Sequence, residues 1–387
     1  MFFIRNKKMV FIKKALLILI ICVMLIELVS CGAFDAIESI EYVEIGIPLA
    51  DRYDKGARAR CVWDMAVYDG KLYVGTGDYS SNTGPVDIWS YDLSARAWSN
   101  SGSVEDEEIS RFCFISGALV APGIDPQESW ELGNYYRLTD SEWEKVRNIP
   151  NGVHTFDMVE YDGLIFAGLG VEAGNSPIVC SDDGGKSFFE VDMQKKGVSF
   201  DGTGFEIIRV YDFFVFEGEL YATLFCEAEE RVYDLYRYED GIFVYENSWD
   251  GKIKQRKYIS NIIGAKSEFD GKLFFATGNL YVTDDMEKLT AITFPKLEMV
   301  CDLCVVDGSL FALCAQKLED GGYRISVWEN NGGRASGFLE IFNFVYSVPP
   351  ISMVCYEGDF YIGTGDIREA NEKNGMVLFI DYSEAKK

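Results

Sequence analysis

Apolar residues lead into and away from a short polar turn at seven places along the chain. The copies read VYDGKLYVG, FISGALVAP, EYDGLIFAG, VFEGELYAT, EFDGKLFFA, VVDGSLFAL and CYEGDFYIG, with turn glycines Gly70, Gly117, Gly163, Gly218, Gly271, Gly308 and Gly358. Because glycine accepts positive φ, a two-residue turn between apolar runs predicts a tight β-hairpin. We number these units repeats one to seven. Their spacings of 47, 46, 55, 53, 37 and 50 residues indicate a repeat architecture.

A second hairpin follows in every repeat, marked by an acidic residue after an apolar run. These residues are Asp92, Asp140, Asp182, Glu239, Asp284, Glu329 and Asp381. Two hairpins make a four-stranded antiparallel unit, and four strands per repeat of this length is typical of a propeller blade. The pattern therefore predicts an all-β fold, a seven-bladed β-propeller that forms a single domain over residues 39–387.

The two ends of the chain are predicted to meet in the last blade. Repeat seven ends in GMVLFIDYSEAKK, which supplies a third strand but no fourth. The segment SIEYVEIGIPL, residues 39–49, alternates apolar and polar positions and can supply the missing strand. An N-terminal strand in the last blade would close the ring and remove an exposed sheet edge.

The first thirty residues have the pattern of a secretory signal peptide, with a basic start, an apolar core and the ending LVSC at Leu28–Cys31. This ending resembles a bacterial lipobox, which implies lipidation of Cys31, a short tether over residues 31–38 and an extracytoplasmic location at the cell membrane or cell surface. A plain transmembrane anchor is the alternative, but Glu27 shortens the apolar run below the usual span.

The acidic charge limits the partners. Removing five basic residues and one acidic residue with the signal from a chain of net −26 leaves −30. Such a surface repels nucleic acid and favours divalent cations or basic partners; the alternative is that the charge only keeps an exported, monomeric propeller soluble. Most of the eight cysteines other than Cys22 and Cys31 lie in apolar runs, which predicts mainly reduced core thiols. The pair Cys301 and Cys304 has metal or redox spacing, but core packing is the stronger interpretation.

One turn carries a sharper motif. The stretch SDDGGKSF has Ser181, Asp183, Gly185, Ser187 and Phe188 at the spacing of an Asp-box. Here the chain resembles the Asp-box (BNR) propellers, a family of sialidases, other glycan-active enzymes and non-enzymatic receptors, while YDLSARAW resembles a kelch-type turn. The resemblance implies a structural hairpin between third and fourth strands, on the face opposite the usual ligand site.

Enzymatic functions lack a complete set of residues. The Arg-Ile-Pro motif of sialidases is absent, although Arg60, Arg111 and Arg209 fall early in first strands and could gather at the channel mouth. The copper site of the kelch-fold galactose oxidase needs two histidines, and His154 is the only one here. We expect a structural role for His154. The function is therefore uncertain between a non-enzymatic module and an enzyme, with the former favoured.

One position repeats around the predicted channel. Six residues before each turn glycine stand Asp64, Arg111, Asp157, Asp212, Ala265, Asp302 and Ser352. Gathered carboxylates could hold a cation such as Ca²⁺. The favoured alternative is that each aspartate caps amides of the next blade, since one polar residue per blade is typical of a scaffold. No other cofactor is expected.

The loops that enter first strands and join second to third strands vary most, which favours ligand recognition on that loop face. The first hypothesis is a lipid-anchored, non-catalytic module that binds a glycan or a protein there. The alternative is a secreted carbohydrate-active enzyme, a sialidase-like hydrolase or a lyase, that uses acids of the same face. The candidate ligand-binding residues are Arg60, Trp63, Asp64, Arg111, Asp157, Arg209, Asp212 and Asp302.

Overall fold

A computed structural model of the chain describes residues 39–46, 56–140, 142–172, 174–194, 207–226, 231–249, 252–253, 265–295, 298–332, 337–369 and 371–385. Residues 40–387 form one compact unit, and the account below concerns that unit. The predicted signal peptide, the lipidation residue Cys31 and the tether over residues 31–38 lie outside the described residues.

The described chain is built almost entirely of β-strands. Repeats one to three contain β2 (Asp64–Tyr68), β3 (Lys71–Gly75), β4 (Val86–Asp92), β5 (Ala97–Val104), β6 (Asp106–Glu108), β7 (Cys113–Ile115), β8 (Ala118–Pro122), β9 (Ile124–Pro126), β10 (Leu132–Thr139), β11 (Glu142–Pro150), β12 (His154–Tyr161), β13 (Leu164–Glu172), β14 (Ile178–Ser181) and β15 (Phe189–Glu190). Repeats four and five contain β16 (Ile207–Phe216), β17 (Glu219–Cys226), β18 (Arg231–Glu239), β19 (Ile242–Ser248), β20 (Lys266–Phe269), β21 (Lys272–Ala276), β22 (Leu280–Thr283) and β23 (Thr290–Ile292).

The remaining elements belong to the last two repeats and to the chain ends. These are β24 (Met299–Val306), β25 (Ser309–Lys317), β26 (Tyr323–Asn330), β27 (Leu339–Tyr346), β28 (Pro350–Tyr356), β29 (Asp359–Thr364), β30 (Val377–Ile380) and β1 (Val43–Glu44). A 3-10 turn covers Arg58–Arg60, and α1 covers Tyr382–Ala385. Within the described ranges, no helix has the length and apolar character needed to cross a bilayer.

The strands form antiparallel sheets in a propeller arrangement. Five separate sheets have four strands each, in the orders β2-β3-β4-β5, β7-β8-β10-β11, β20-β21-β22-β23, β24-β25-β26-β27 and β28-β29-β30-β1, counted over the described residues. The first strands of successive repeats contact one another in chain order, and β28 contacts β2. Apolar side chains pack between neighbouring sheets; the rings of Phe342 and Phe360, from repeats six and seven, lie 5.1 Å apart.

The prediction of seven separate four-stranded blades is wrong, because the structure has five. The strands of repeats three and four belong to one ten-stranded sheet, which also contains β6 and β9. Within it, β12 to β15 pair in succession, and so do β16 to β19. The end of β13 extends beyond its own hairpin and pairs with the start of β16, Gly170 opposite Arg209. Strand length beyond the hairpin therefore joins the two repeats.

The seven turns have the backbone that the sequence predicts. At each turn both central residues have positive φ, for example 47° at Asp69 and 69° at Gly70. This is the geometry of the type I′ turn, whose twist matches that of the two strands it joins. No Cβ would collide at Gly70, so glycine is required there by its φ and not by lack of space.

The predicted meeting of the chain ends is confirmed. Strand β1 pairs antiparallel with β30, Val43 opposite Phe379, and so becomes the fourth strand of the last sheet. The ring of Tyr42 lies 4.9 Å from that of Phe344, and Tyr346 donates to Glu44 over 3.0 Å. The N-terminal segment therefore ties repeat seven to repeat six as well.

Seven cysteines are free among the described side chains, namely Cys61, Cys113, Cys180, Cys301, Cys304, Cys314 and Cys355. Each is buried or half-buried. Burial raises the pKa of the Cys301 thiol to about 12, which keeps it protonated and apolar. The prediction of reduced thiols is confirmed for these seven, and the side chain of Cys226 lies outside the described residues.

Candidate functional site

The repeated aspartates connect neighbouring repeats. Asp64 accepts its own next amide, Met65, over 2.8 Å and the amide of Phe112 in repeat two over 2.7 Å. Asp302 does the same with Leu303 and with Met353 in repeat seven, over 2.8 and 2.7 Å. Each carboxylate thus joins the first strand of one repeat to the first strand of the next.

Asp157 and Arg111 extend the same scheme. Asp157 accepts the amides of Met158 and of Phe213 in repeat four, over 2.9 and 2.7 Å. Arg111, which takes the place of an aspartate in repeat two, donates to Asp157 over 2.7 Å and joins repeats two and three. The capping interpretation of this position is therefore confirmed for Asp64, Asp157 and Asp302.

Two further residues at the repeated position, Asp212 and Ser352, also connect neighbouring repeats. Asp212 accepts from Thr223 and from Lys266, the residue that follows Ala265 in repeat five. Ser352 donates to the carbonyl of Val62 over 2.9 Å and joins repeat seven to repeat one. Ala265 has no polar side chain to offer. The five members of the set that were proposed from sequence as ligand contacts hold the ring together: Asp64, Arg111, Asp157, Asp212 and Asp302.

This arrangement has an electrostatic cost. Burial raises the pKa of Asp64 to about 6, against the opposing effect of the amides it accepts. Burial, reinforced by the charge of Asp64, raises the pKa of Asp302 to about 7. No group of three or more histidine, cysteine, aspartate or glutamate side chains with metal-binding geometry occurs among the residues that the structure describes.

The residues of the SDDGGKSF stretch form a self-contained turn between β14 and β15. Asp183 accepts the amides of Lys186 and Ser187 over 2.9 and 3.0 Å and the hydroxyl of Ser187 over 2.6 Å. These bonds, led by the Ser187 hydroxyl, lower the pKa of Asp183 to about 2. Ser181 caps Gly185 over 2.8 Å, and the ring of Phe188 lies 6.2 Å from that of Tyr135 in repeat two. The turn is structural and packs against the preceding repeat.

A different group of side chains meets on the loop face, and we call it the acidic-aromatic cluster. Its members are Arg58, Asp78, Tyr79, Glu107, Glu108, Asp125 and His154. They come from the segment before β2, from the loop between β3 and β4, from the β6 and β9 segments of repeat two and from the start of β12. These are the loop types for which the sequence predicts ligand recognition.

Arg58 shows how a cation is held in this cluster. Its guanidinium carbon lies 4.9 Å from the ring centroid of Trp63 and 5.2 Å from that of Tyr79. Its nitrogens lie 3.3 Å from Asp78 and 3.7 Å from Glu108. Two aromatic faces and two carboxylates therefore surround one guanidinium, which combines cation–π attraction with ion pairing.

Two adjacent glutamates of the cluster, Glu107 and Glu108, have raised pKa values. Burial raises the pKa of Glu108 to about 8, although Arg58 opposes the shift. Burial, followed by the charges of Asp125 and Asp78, raises the pKa of Glu107 to about 7. Their backbone is fixed by Gly77, where φ is +118° and an added Cβ would lie 2.3 Å from the carbonyl oxygen of Glu107.

Several polar atoms of the cluster lack hydrogen-bond partners among the described residues. Glu107, only 6% exposed, has a buried Oε2 without one. His154 Nδ1 lies 2.5 Å from Asp125 Oδ1, yet neither atom is in hydrogen-bond geometry with a described residue. Buried polar groups are normally satisfied, so a concentration of such atoms marks a place where a ligand or water completes the set.

Aromatic rings continue from the cluster toward repeat four. The His154 ring lies 5.9 Å from Tyr79 and 5.5 Å from Phe156, and Phe156 lies 4.5 Å from Tyr211. Arg209 donates to the Tyr211 hydroxyl over 3.0 Å and lies 5.8 Å from the Phe156 ring. The loop face thus presents a row of rings with two arginines, Arg58 and Arg209, set along it.

An exposed tryptophan stands in the braced loop of repeat two that also contains Asp125. Trp130, five residues after Asp125, is 66% exposed. Arg147 donates to the carbonyls of Ser129 and Leu132, the latter over 2.6 Å, and Lys145 donates to Glu128. These contacts fix the backbone on both sides of Trp130, so its ring is presented to solvent from a well-held position.

The arginines that the sequence predicts at the channel mouth are Arg60, Arg111 and Arg209, and the structure gives each of them different surroundings. Arg111 pairs with Asp157, and Arg209 contacts Tyr211, so each has partners of its own. Arg60 is half-buried in the 3-10 turn, and Trp63 is buried beneath Arg58. Of the eight candidate ligand contacts, Trp63 and Arg209 are the ones placed in the row of rings.

Sequence reasoning missed most of the acidic-aromatic cluster. The acidic run EDEE before repeat two contains Glu107 and Glu108, and the variable loop IDPQESWELG contains Asp125 and Trp130. An acidic run next to an aromatic-bearing loop is the signal that could have singled them out. His154, expected to be structural, is half-buried against Asp125 in the same group.

Comparison with known proteins supports the fold alone. No protein-family model and no curated protein matches the sequence. Solved structures do match, 328 chains in all, so the fold is too widely shared to identify a function. One is a chain in the crystal structure of a mitotic checkpoint complex, with 9% identity, a TM-score of 0.51 and coverage of 91% of this chain and 95% of that one. Another is BamB from Moraxella catarrhalis, with 10% identity, a TM-score of 0.47 and coverage of 89% and 99%.

Proposed function

We propose that this chain is a non-catalytic interaction module, a ring of seven propeller repeats that binds a protein ligand with its loop face. Each half of the ten-stranded sheet keeps the four-strand order of a propeller blade. The side chains of the predicted channel serve the ring itself, so the free recognition surface is the loop face.

Trp130 is the observation that carries this proposal. A large aromatic ring left in solvent on a loop held by Arg147 and Lys145 is typical of a binding anchor, because it adds contact area while losing little conformational freedom on binding. The half-buried rings of Tyr79, His154 and Tyr211 supply further contact surface on the same face, with the buried Phe156 packed between His154 and Tyr211.

Site-specific crosslinking tests the interaction. A photoreactive phenylalanine analogue placed at position 130 in intact cells should give a discrete protein adduct, whereas the same analogue at Phe189, an exposed ring beside the Asp-box turn, should not. The purified partner should bind Trp130→Ala at least about tenfold more weakly than wild type. Equal yields of adduct at positions 130 and 189 would contradict the protein-binding proposal. So would a glycan ligand whose binding is lost in Trp130→Ala.

The same proposal places the module outside the cytoplasm, on a lipid attached to Cys31. The support is the signal-like segment and the LVSC ending. Mass spectrometry of the mature N-terminus should find an acylated Cys31, and Cys31→Ser should leave the precursor uncleaved. An unmodified Cys31 in mature wild-type protein is the result that rejects the anchor while leaving the binding function untouched.

A carbohydrate-active enzyme is the second candidate, favoured by one observation. Glu108, with its pKa raised to about 8, would be protonated at neutral pH, as a general acid must be. We expect assays of the wild-type protein against chromogenic glycosides and acidic polysaccharides to show no turnover that depends on Glu108. Turnover lost in that variant, with the fold intact, would establish the enzyme instead.

A further inference from the structure

We propose that the acidic-aromatic cluster is a receptor for one cationic side chain, an arginine or a lysine, of the protein ligand. The inference rests on the proposed function and specifies the chemistry of the partner at one point of the loop face.

The chain itself demonstrates the recognition chemistry. Arg58 is held between the rings of Trp63 and Tyr79 and beside the carboxylates of Asp78 and Glu108. Tyr79 has a second aromatic neighbour, His154, and beyond it stands a second carboxylate pair, Glu107 and Asp125. The half of the cluster around Asp125 repeats the ingredients of the Arg58 half, namely rings and carboxylates, without a cation of its own.

The charges of the cluster are unbalanced. Asp78, Glu107, Glu108 and Asp125 supply four carboxyl groups, and the guanidinium of Arg58 lies among them. The pKa values of Glu107 and Glu108 are raised to about 7 and 8, so an incoming cation would favour the charged forms of these two groups. His154 adds a charge only when it is protonated. Like charges packed at low dielectric destabilise one another, and an incoming cation relieves that repulsion.

Unpartnered atoms point to the same place. Glu107 Oε2 is buried without a hydrogen-bond partner among the described residues, and Asp125 Oδ1 faces His154 Nδ1 at 2.5 Å. The first two are acceptors, which suits the N–H donors of a guanidinium or ammonium group. The side chains of Asp125 and His154 are 17% and 19% exposed, so the cluster can be reached from the loop face.

The surroundings favour a cation on a protein chain. Trp130 stands five residues from Asp125 and can contact apolar parts of the same ligand. The chain as a whole has a net charge of −26, which attracts basic partners over longer distances. A basic residue flanked by apolar ones therefore matches the charges and the rings of this surface.

Two peptides that differ only in charge test the inference. Calorimetric titration of the full-length protein at physiological ionic strength would compare an acetylated, amidated pentapeptide with a central arginine and leucine neighbours against the same peptide with citrulline, its neutral isostere. The arginine peptide should bind about tenfold more tightly or better, because cation–π contacts and charged hydrogen bonds are lost with citrulline. Equal affinity for the two peptides would overturn the proposal.

The single histidine provides a local reporter. His154 is the only histidine of the chain, so its imidazole proton signals need no assignment, and it lies against Asp125. The arginine peptide should shift these signals and the citrulline peptide should not. Binding of the arginine peptide without any shift of the His154 signals would show that it binds elsewhere, and would also overturn the proposal.

Matched variants separate specific from general attraction. Glu107→Gln and Asp125→Asn should each reduce the preference for arginine about tenfold. Asp284→Asn, which removes the same charge from an exposed turn of repeat five, should leave it unchanged. An equal loss in Asp284→Asn would mean that net charge alone attracts the peptide. A cooperative thermal unfolding transition like that of wild type would show that the free variants are folded.

The outcome is distinguishable from failure of the proposed function. If the partner crosslinked at position 130 binds Trp130→Ala weakly but binds Glu107→Gln and Asp125→Asn as well as wild type, the module still binds a protein and the cationic contact is rejected. If no partner depends on Trp130, the proposed function fails, whatever the peptides do.

Discussion

Lys266 donates to Asp212 at a place in the ring where both side chains are almost fully buried. Its ammonium also lies 4.5 Å from the ring centroid of Phe275 and 5.3 Å from that of Phe214. Burial lowers the pKa of Lys266, while the charge of Asp212 opposes the shift. The pair joins repeats four and five, at the position where other repeats use an aspartate and a backbone amide.

Removing one partner of this pair should cost more than removing both. Lys266→Met leaves the Asp212 carboxylate buried without its cation, which should lower the free energy of unfolding by roughly 3 kcal/mol. The double variant Lys266→Met, Asp212→Asn should recover part of that loss, because neither charge remains. Urea denaturation of wild type and of these two variants measures both values. A double variant less stable than Lys266→Met would contradict the argument.

Calcium should not stabilise the ring through its aspartates. Asp64, Asp157 and Asp302 already direct both oxygens at backbone amides, so a cation would have to compete with those bonds. We expect millimolar calcium to leave the melting temperature unchanged, and Asp157→Asn to lower stability by about 1 kcal/mol with or without calcium. A calcium-dependent rise in melting temperature that Asp157→Asn and Asp212→Asn abolish would show that the channel holds a cation.

Stability should fall as the solution becomes alkaline. The pKa values of Asp64, Asp302, Glu107 and Glu108 are raised to about 6, 7, 7 and 8, so the folded chain holds protons that an unfolded chain releases near pH 4. The stabilisation from these groups is fully present below pH 4 and is lost as the pH rises through 6 to 8. Denaturation midpoints measured from pH 5 to pH 8.5 should therefore decrease.

Glu108→Gln is the variant that isolates one of these groups. It removes the carboxyl with the highest of the four pKa values, so stability should decline less steeply between pH 6 and pH 8.5 than in wild type. Glu319→Gln, an exposed position between β25 and β26, serves as the control. Identical slopes for wild type and Glu108→Gln would contradict the assignment.

The N-terminal strand should matter more than the C-terminal tail. Deleting residues 32–46 removes the pairing of Val43 with Phe379 and the packing of Tyr42 on Phe344. Burial of the Tyr42 ring alone suggests a loss of at least about 2 kcal/mol. Trimming residues 384–387 should change little. Thermal unfolding measures both truncations, and equal melting temperatures would refute a role for β1 in ring closure.

The features that depend on local sequence were predictable. An acidic residue and a glycine between apolar runs specify the turn by their own backbone preferences, as Asp69 and Gly70 do. The capping role of Asp64 followed from its recurrence at one position per repeat. The alternation in residues 39–49 sufficed to place Val43 in the last sheet, because a three-stranded repeat leaves one edge unpaired.

The features that depend on contacts between repeats were not predictable. The pairing of Gly170 with Arg209 requires β13 to extend past its hairpin, and no residue type marks such an extension. The acidic-aromatic cluster joins Arg58, Glu107 and His154, which are separated by 49 and 47 positions in the sequence and belong to three different segments. These separations match the repeat spacing, which brings the three segments together, but the spacing does not show which of their side chains meet.

The backbone hydrogen bonds between β13 and β16 also affect the order in which parts of the ring unfold. Where neighbouring sheets meet through side chains, a small separation breaks dispersion contacts gradually, whereas parting Gly170 from Arg209 breaks backbone hydrogen bonds all at once. Repeats three and four therefore form one cooperative opening unit. Deuterium should enter the amides of that unit last, and a ring under thermal stress should part first at a seam elsewhere, leaving this pair as the final folded remnant.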